Sequence, residues 1–290
     1  MNLGSETKTA FDCTTLRCVY GEIDDLDHRT PGKYSSQEAE LRCKLACAYR
    51  LVDLFGWTNG IYGHLTVRTP DHHILLNPFG ILFHEVTASS LVKVTIDGTV
   101  VDPGSTNFGF NPRAYTLHSA IHDGRRDVVA AVHLHIPEVM AMSAVDLKYV
   151  PLFQEFQFVG PVSLHGYSGT LVDLSERNAI INDLGSNDLM VLKNHGFVSC
   201  GVSVEDAFFK AWVFISGAKA VSHMLGVPQT KWTIPDQDSV KKSFDVIKHG
   251  EKVDNTQYEP GELNWQAWMR VLDGMGLKTG YKYRTQLWKS

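Results

Sequence analysis

The spacing of apolar residues in the first hundred positions changes from helical to extended. Ser35-Ser-Gln-Glu38 has the form of a capping box, and apolar residues then recur every three or four positions as far as Gly56, which predicts a long helix. The short apolar runs that follow are typical of strands, and Asp97-Gly98 predicts a tight turn between the last two. The predicted strands are 64–68, 74–77, 91–96 and 99–101.

The rest of the chain alternates between the two spacings. Asn111-Pro112 predicts the start of a helix that runs to about 122, because Asn caps a helix and Pro is favoured in its first position. An apolar run follows and ends in His133-Leu-His135. We interpret 150–172 as short strands and loops, and 228–261 as a polar surface excursion. The other predicted elements are a strand at 189–193 and helices at 137–143, 175–184, 203–225 and 262–275.

This alternation predicts an α/β fold in which helices flank a central sheet. We divide the chain into an N-terminal arm (1–34), a core (35–228), and an irregular excursion whose C-terminal helix packs on the core (229–290).

Composition narrows the class of protein. The chain has 290 residues, of which 43% are hydrophobic and 20% charged, with a net charge of −5. It contains no apolar run of about 18 residues, and its N-terminus lacks a basic segment followed by an apolar one. We therefore expect a cytoplasmic protein without a transmembrane helix. Mild acidity argues against nucleic acid or an anionic membrane as the main partner.

The five cysteines do not form a metal-binding or disulfide pattern, because no Cys-x-x-Cys occurs. Cys43 and Cys47 are four apart in the first long helix, so we expect them to share a face and to pack as small apolar residues.

Three histidines carry the main chemical signal. Residues i and i+2 of a strand point to the same side, so His133 and His135 can reach one metal ion. His195 ends a second apolar run, immediately before a glycine. Three His ligands without a fourth are typical of a catalytic metal site with an open position. The alternative is that one or more of these side chains only packs and hydrogen-bonds near a strand end.

Other residues compete for or complement this site. His118 and His122 are four apart on a predicted helix and form a rival pair, but they lack the Glu of a zincin motif, and we expect one to face the core and the other the surface. A metal site also needs a group that moves protons. Glu155 is the candidate, because it stands in an apolar stretch where a carboxylate is costly unless used or paired. The alternative for Glu155 is an exposed strand face.

Taken together, several motifs resemble the class II aldolase/adducin superfamily over about residues 36–285. They are Phe55-Gly-Trp57, Gly63-His-Leu-Thr-Val-Arg68, Asn77-Pro-Phe-Gly80, Glu85-Val-Thr-Ala-Ser-Ser-Leu-Val-Lys93, Leu117-His-Ser-Ala-Ile121, His133-Leu-His135, Gln154-Glu155, Asn194-His-Gly196, Trp268-Met-Arg-Val-Leu-Asp273 and Thr279-Gly-Tyr-Lys-Tyr-Arg284.

The resemblance implies a three-layer α/β/α fold with a central mixed, mainly antiparallel sheet, and a homotetramer. It implies a divalent metal, usually Zn²⁺, held by His133, His135 and His195. Fe²⁺, Co²⁺ or Mn²⁺ remain alternatives, because three imidazoles do not identify the ion. It also implies that Glu155 acts as acid and base.

The chain departs from the family pattern where class II aldolases bind a substrate phosphate. The family's Ser-Ser-Glu segment corresponds to Pro112-Arg113-Ala114, and its phosphate-binding Asn corresponds to His64. We therefore expect a different anion, a carboxylate bound by Arg113 and His64, with Asn77 and Gly80 as further substrate-binding residues. The alternative for Arg113 is a solvated residue in the first turn of a helix.

Two more residues follow Glu155 in a segment that the resemblance places near the metal pocket. His165 and Tyr167 are candidates to donate a proton to a developing oxyanion. Structural hydrogen bonding is the alternative for each.

Three functions are consistent with these patterns. The first is a metal-dependent lyase that cleaves, decarboxylates or dehydrates a hydroxy- or keto-acid through a metal-stabilised enolate. The second is a non-heme iron oxygenase on the same scaffold. The third is a non-catalytic binding module like the adducin head, which serves the cytoskeleton and precedes a long tail. Because the chain stops at Ser290 without such a tail, we expect a small carboxylate-bearing partner instead.

Overall fold

The computed structural model describes residues 21–145, 151–166 and 174–284. The helices of these residues are α1 Leu26–Arg29, α2 Ser36–Leu54, α3 Pro112–Gly124, α4 Pro137–Ser143, α5 Gln154–Val159, α6 Leu174–Leu184, α7 Val204–Ser222, α8 Gln237–Lys248 and α9 Glu262–Gly274. The strands are β1 His64–Arg68, β2 Ile74–Leu76, β3 Val92–Val94, β4 Val100–Asp102, β5 Ala130–Leu134, β6 Val162–His165, β7 Leu189–Leu192, β8 Gly196–Gly201, β9 Glu251–Val253 and β10 Thr256–Tyr258.

Eight of these strands form one sheet in the order β4-β3-β2-β1-β5-β8-β7-β6. Neighbouring strands are antiparallel except β6 and β7, which are parallel. The sheet is therefore mixed and mainly antiparallel, as the resemblance implies. β9 and β10 form a separate two-stranded sheet.

Alternate residues of the central strands pack on opposite helical layers. On one face, Leu65 of β1 and Val132 of β5 join a large core with α2, α7 and α9. On the other face, Ala131 of β5 and Val198 of β8 pack against α3 and α6. Burial on both faces makes the three-layer α/β/α arrangement, and it places every even-numbered side chain of β1 on the α3 side.

The helix starts follow the predicted capping chemistry. The side chain of Ser35 accepts a hydrogen bond from the Glu38 amide at the start of α2. Asn111 caps α3 in the same way, and Ser203 caps α7 through the Asp206 amide. These local bonds satisfy amides that no preceding turn can reach.

The structure corrects two predicted irregular regions. Residues 154–159 form α5, because Phe156 and Val159 are three apart and both face the core, whereas the alternating sequence had suggested a strand. Residues 237–248 form α8, which Asp236 caps and which lies on the surface with no fully buried residue. β8 was missed by the sequence analysis altogether.

A largely buried ion network anchors α2 to the sheet. Arg42 is fully buried, and its guanidinium lies 3.0 Å from both the Glu38 and the Asp102 carboxylates. It also donates to the Leu91 carbonyl at 2.8 Å. Lys93 lies 2.7 Å from the second oxygen of Glu38. Each buried charge therefore has an opposite charge and hydrogen-bond partners, which offset its desolvation.

The described part of the predicted N-terminal arm packs on the rest of the chain. Ile23 is fully buried, and its amide donates to the Leu277 carbonyl at 2.7 Å. The Asp24 amide donates to Lys278 in the same way. The three-part division of the chain remains a prediction. Among the described helices, none is both long and apolar enough to cross a membrane.

Candidate metal centre

The three predicted ligands meet at one end of the central strands. His133 is in β5, His135 follows the end of that strand, and His195 lies in the turn between β7 and β8. One ring nitrogen from each lies within 4.8 Å of the other two. Within the described residues, no cysteine or carboxylate belongs to this group. The fold therefore brings together the residues that the sequence pattern selected.

The hydrogen bonds of His133 determine which of its nitrogens faces the group. Its Nδ1 lies 2.8 Å from the Phe197 carbonyl oxygen, which can only accept, so Nδ1 carries the hydrogen. Its Nε2 lies 3.0 Å from Nε2 of His135. Two Zn–N bonds of about 2.05 Å at a tetrahedral angle place nitrogens about 3.3 Å apart. The residues thus fit a divalent metal, and the Phe197 carbonyl supplies the usual outer hydrogen bond.

Burial keeps these imidazoles neutral, which is the form that binds a metal. Burial, with a smaller contribution from His195, lowers the pKa of His135 to about 4. Burial also lowers the pKa of His195, and burial together with the surrounding histidines lowers the pKa of His133 far below its ordinary value. At neutral pH the site therefore carries no positive charge of its own.

The backbone of the turn explains the Asn-His-Gly sequence. Asn194 has a φ of +55°, in the left-handed region that Asn tolerates better than most residues. A Cβ added to Gly196 would lie 2.5 Å from the Leu134 carbonyl oxygen and 3.3 Å from the His135 ring. Glycine is thus required there for β8 to lie close to β5, and this close approach sets His195 beside the other two histidines.

Further buried histidines line the α3 side of the site. His64 is opposite His133 on β1, and the two rings are nearly parallel, with centroids 6.2 Å apart. His64 is 8% exposed, and neither ring nitrogen has a hydrogen-bond partner within the described residues. Burial, with smaller effects of His135 and His195, lowers its pKa to about 4. A polar side chain left unsatisfied this way is costly unless a ligand completes it.

The rival pair, His118 and His122, is neither part of the metal-ligand group nor divided between core and surface. Both are fully buried, so the expectation that one faces the surface is wrong. They share the Thr66 hydroxyl, which lies 2.8 Å from His118 Nδ1 and 2.9 Å from His122 Nε2. The even-numbered positions of β1 all point to α3, which explains why this helix presents two histidines inward.

The other predicted substrate-binding residues lie in different surroundings. Asn77 is buried, and its Oδ1 lies 2.8 Å from the hydroxyl of Tyr49, a residue of α2 on the opposite face of the sheet from His133. Gly80 is exposed, with a φ of +102°. Arg113 is exposed in the first turn of α3 and forms no ion pair within the described residues.

The predicted proton-transfer residues are not gathered around the histidines by any described contact. Glu155 is exposed in the first turn of α5 and has no hydrogen bond or ion pair among the described residues. His165 is buried, and its two ring nitrogens lie 2.7 Å from Asp183 and 2.9 Å from Glu176. Tyr167 lies outside the described residues.

A cleft of about 520 Å³ opens beside His135 and was not predicted. Lys219 of α7 and Glu138 of α4 line it, together with Trp57 and Asn59 from the turn after α2. Its volume is in the range of small-ligand sites. A larger cleft of about 780 Å³ lies between α2 and the segment 279–284, and none of the histidines lines it. In the sequence, the spacing His135-x-x-Glu138 could have indicated that Glu138 lies near the metal centre. Lys219 is too distant in sequence to be found by spacing.

The comparisons with known proteins agree with this fold. The sequence model described as "Class II Aldolase and Adducin N-terminal domain" matches residues 43–221. A solved aldolase II superfamily protein from Pseudomonas syringae is 38% identical, with a TM-score of 0.77 over 85% of this chain and 97% of that one. An L-fuculose 1-phosphate aldolase from Glaciozyma antarctica PI12 is 25% identical, with a TM-score of 0.71 over 91% and 100% of the two chains.

Curated relatives carry adducin names. Alpha-adducin of Rattus norvegicus is 40% identical over 90% of this chain, which spans only 37% of that protein. An adducin-related protein of Schizosaccharomyces pombe is 36% identical over 84% of this chain and 77% of its own length. From the matched sequence model and these identities, the chain belongs to the class II aldolase and adducin N-terminal domain family.

Proposed function

We propose that the protein is a metal-dependent lyase that acts on a small hydroxy- or keto-acid. The convergence of His133, His135 and His195 carries this proposal, because three neutral imidazoles are aimed at one point and supply no fourth ligand. A binding module does not need such an arrangement, and maintaining it requires a residue with positive φ and a glycine in the turn at 194–196.

The side chains have separate roles in this proposal. The three histidines hold the ion, zinc by preference, and the Phe197 carbonyl fixes the orientation of His133. A bound divalent ion supplies a Lewis acid for a carbonyl or carboxylate oxygen.

His64 contributes a buried, neutral ring beside His133 that has no hydrogen-bond partner among the described residues and is suited to a substrate oxygen. We keep Arg113, Asn77 and Gly80 as proposed substrate-binding residues.

Proton transfer is assigned to an acid–base carboxylate. Glu155 remains the proposed group, with His165 and Tyr167 as further candidates. For His165 to donate a proton, it must release one of the two carboxylates that now engage its ring. We further propose a homotetramer in the cytoplasm. In support of a reducing setting, the described cysteines Cys43, Cys47 and Cys200 are all buried and unpaired.

Elemental analysis tests the proposal most directly. The full chain is purified without an affinity metal, beside a His133→Ala/His135→Ala variant. We expect about one equivalent of zinc or manganese per chain in the parent, lost in the variant, since two of three ligands are removed. Assays of carbon–carbon cleavage, decarboxylation and dehydration on hydroxy- and keto-acids follow. Iron or cobalt would direct the assays to oxygen consumption and the oxygenase alternative.

A second candidate is a non-catalytic binding module. The observation that favours it is the 40% identity to an alpha-adducin over 90% of the chain. If neither protein holds metal after reconstitution with zinc, manganese or iron, the lyase proposal is wrong and the binding module is left.

A further inference from the structure

The cleft beside His135 brings together two charged side chains that have no other assignment. Lys219 is exposed in the last turns of α7, and Glu138 is half-buried at the start of α4. Both line the same cleft as His135. Neither forms an ion pair or a side-chain hydrogen bond with the described residues. Most charged groups that line the larger cleft near α2, such as Lys44 with Glu205, are paired.

We propose that this cleft selects small hydroxy- or keto-monocarboxylates, with Lys219 binding the carboxylate and Glu138 repelling a second one. The inference rests on the proposed function, in which His135 is a metal ligand, and on the place of His135 in the lining of this cleft.

The lining supports recognition of a carboxylate by charge. An ammonium group that is free of internal carboxylates can pair with an anion without giving up an existing partner. Among the described residues that line the cleft, Lys219 is the one lysine or arginine. A substrate held there by its carboxylate has its remaining atoms within the cleft that His135 also lines.

The same lining limits the charge that a substrate can carry. Glu138 lines the same cleft as His135, so a dicarboxylate that reached the histidines would bring its second charge near a carboxylate that has no ion pair among the described residues. Like charges brought together on binding reduce affinity, and this is a common way to reject a competitor. Trp57 and Asn59 complete a wall with one apolar and one neutral polar side chain.

Ligand-observed NMR tests this on the full chain, without metal and loaded with zinc. The probes are lactate, methyl lactate and malate, and zinc content is measured in the same samples. We compare Lys219→Gln with Lys248→Gln, because Lys248 is also an exposed lysine in the last turn of a helix, outside the cleft. Glu138→Gln tests the repulsion.

Lactate is expected to bind about tenfold more weakly to Lys219→Gln and unchanged to Lys248→Gln, because one charge-assisted contact is lost. Methyl lactate, which has no charge, is expected to bind all three proteins alike. Malate is expected to bind the parent more weakly than lactate does, and Glu138→Gln is expected to remove most of that difference.

The measurements distinguish failure of the cleft assignment from failure of the lyase proposal. If the protein holds zinc but lactate binds Lys219→Gln and Lys248→Gln equally, or does not bind the parent at all, the cleft assignment is wrong and the lyase proposal stands. If zinc is not held in any sample but lactate binding still depends on Lys219, the lyase proposal is wrong and the cleft assignment stands. If Glu138→Gln leaves the preference for lactate unchanged, the repulsion by Glu138 is wrong.

Discussion

His64 and His133 are direct partners across β1 and β5, and their rings lie nearly parallel at 6.2 Å. One of them holds a hydrogen bond and points at the candidate metal centre, while the other has no partner within the described residues. The register of two strands therefore places an unsatisfied neutral ring beside the ligand set. Such a ring costs stability and is retained where a ligand uses it.

Replacing His64 tests that cost. We expect His64→Leu to leave the free energy of unfolding of the metal-free protein unchanged or higher, because a buried polar ring with no partner among the described residues becomes apolar. The metal content should not change. His118→Leu is the comparison, because it removes the bond between Nδ1 and the Thr66 hydroxyl as well as an Nε2 that has no partner among the described residues. It should therefore cost more than His64→Leu, by about 1 kcal/mol. Urea unfolding measures both, and a loss above about 1 kcal/mol in His64→Leu would show that His64 has a stabilising partner.

Gly196→Ala is expected to damage the site through the backbone. The new Cβ would lie 2.5 Å from the Leu134 carbonyl oxygen, so β8 and β5 must separate where His195 and His135 meet. We expect a loss of about 1–3 kcal/mol in unfolding free energy, as for overpacked cores, and weaker zinc binding. Gly226→Ala is the matched control, since nothing lies within 4 Å of its Cβ position. Equal zinc affinity in the two variants would contradict this account of the turn.

Acid is expected to destabilise the protein through His122. Burial, with a smaller effect of Arg68, lowers its pKa to about 3, against an ordinary value near 6.5. Between these values the unfolded chain binds more protons, so stability falls as the pH falls, by up to about 1.4 kcal/mol per pH unit. The His122→Gln variant lacks the contribution of His122 to this loss of stability with falling pH. Unfolding free energies at about pH 7 and about pH 5 should therefore differ less in the variant than in the parent. Parallel losses in the two proteins would exclude His122 as a source.

Arg42→Leu is expected to be strongly destabilising. It removes the cation from two carboxylates, Glu38 and Asp102, that lie 3.0 Å from the buried guanidinium. Loss of one partner from a buried ionic group costs about 3–5 kcal/mol. Arg126→Leu is the control, because its pair with Asp123 is 3.5 Å long and exposed, and such pairs contribute at most about 1 kcal/mol. Thermal unfolding of both variants decides whether the network holds α2 on the sheet.

Local features of the chain were readable from the sequence. The caps of α2, α3 and α7 use the predicted side chains, and β1 has the predicted bounds. Cys43 and Cys47 are buried together on α2 as their spacing predicted. These features depend on neighbours within a few residues, which is why periodicity and capping rules find them.

Where a short segment fits both a helical and an extended spacing, the sequence pattern predicted the wrong structure. In 154–159 the aromatic residues alternate as in a strand, yet the segment is helical because Phe156 packs on Phe214 of α7, with ring centroids 5.5 Å apart. From the sequence, one of His118 and His122 was predicted to face the core and the other the surface. Both are buried because Thr66, on a strand under α3, supplies a shared hydrogen-bond partner.

The sequence by itself determined the capped helices, the strands β1 to β5 and β7, and the three candidate ligands, since these follow from short-range spacing and residue type. Only the tertiary structure decided that His195 reaches His133, that His64 lies opposite His133, and that Lys219 shares a cleft with His135. These relationships join residues that are far apart in the chain. They are set by strand register and by the packing of helices on the sheet, which depend on the simultaneous burial of many side chains rather than on any one segment.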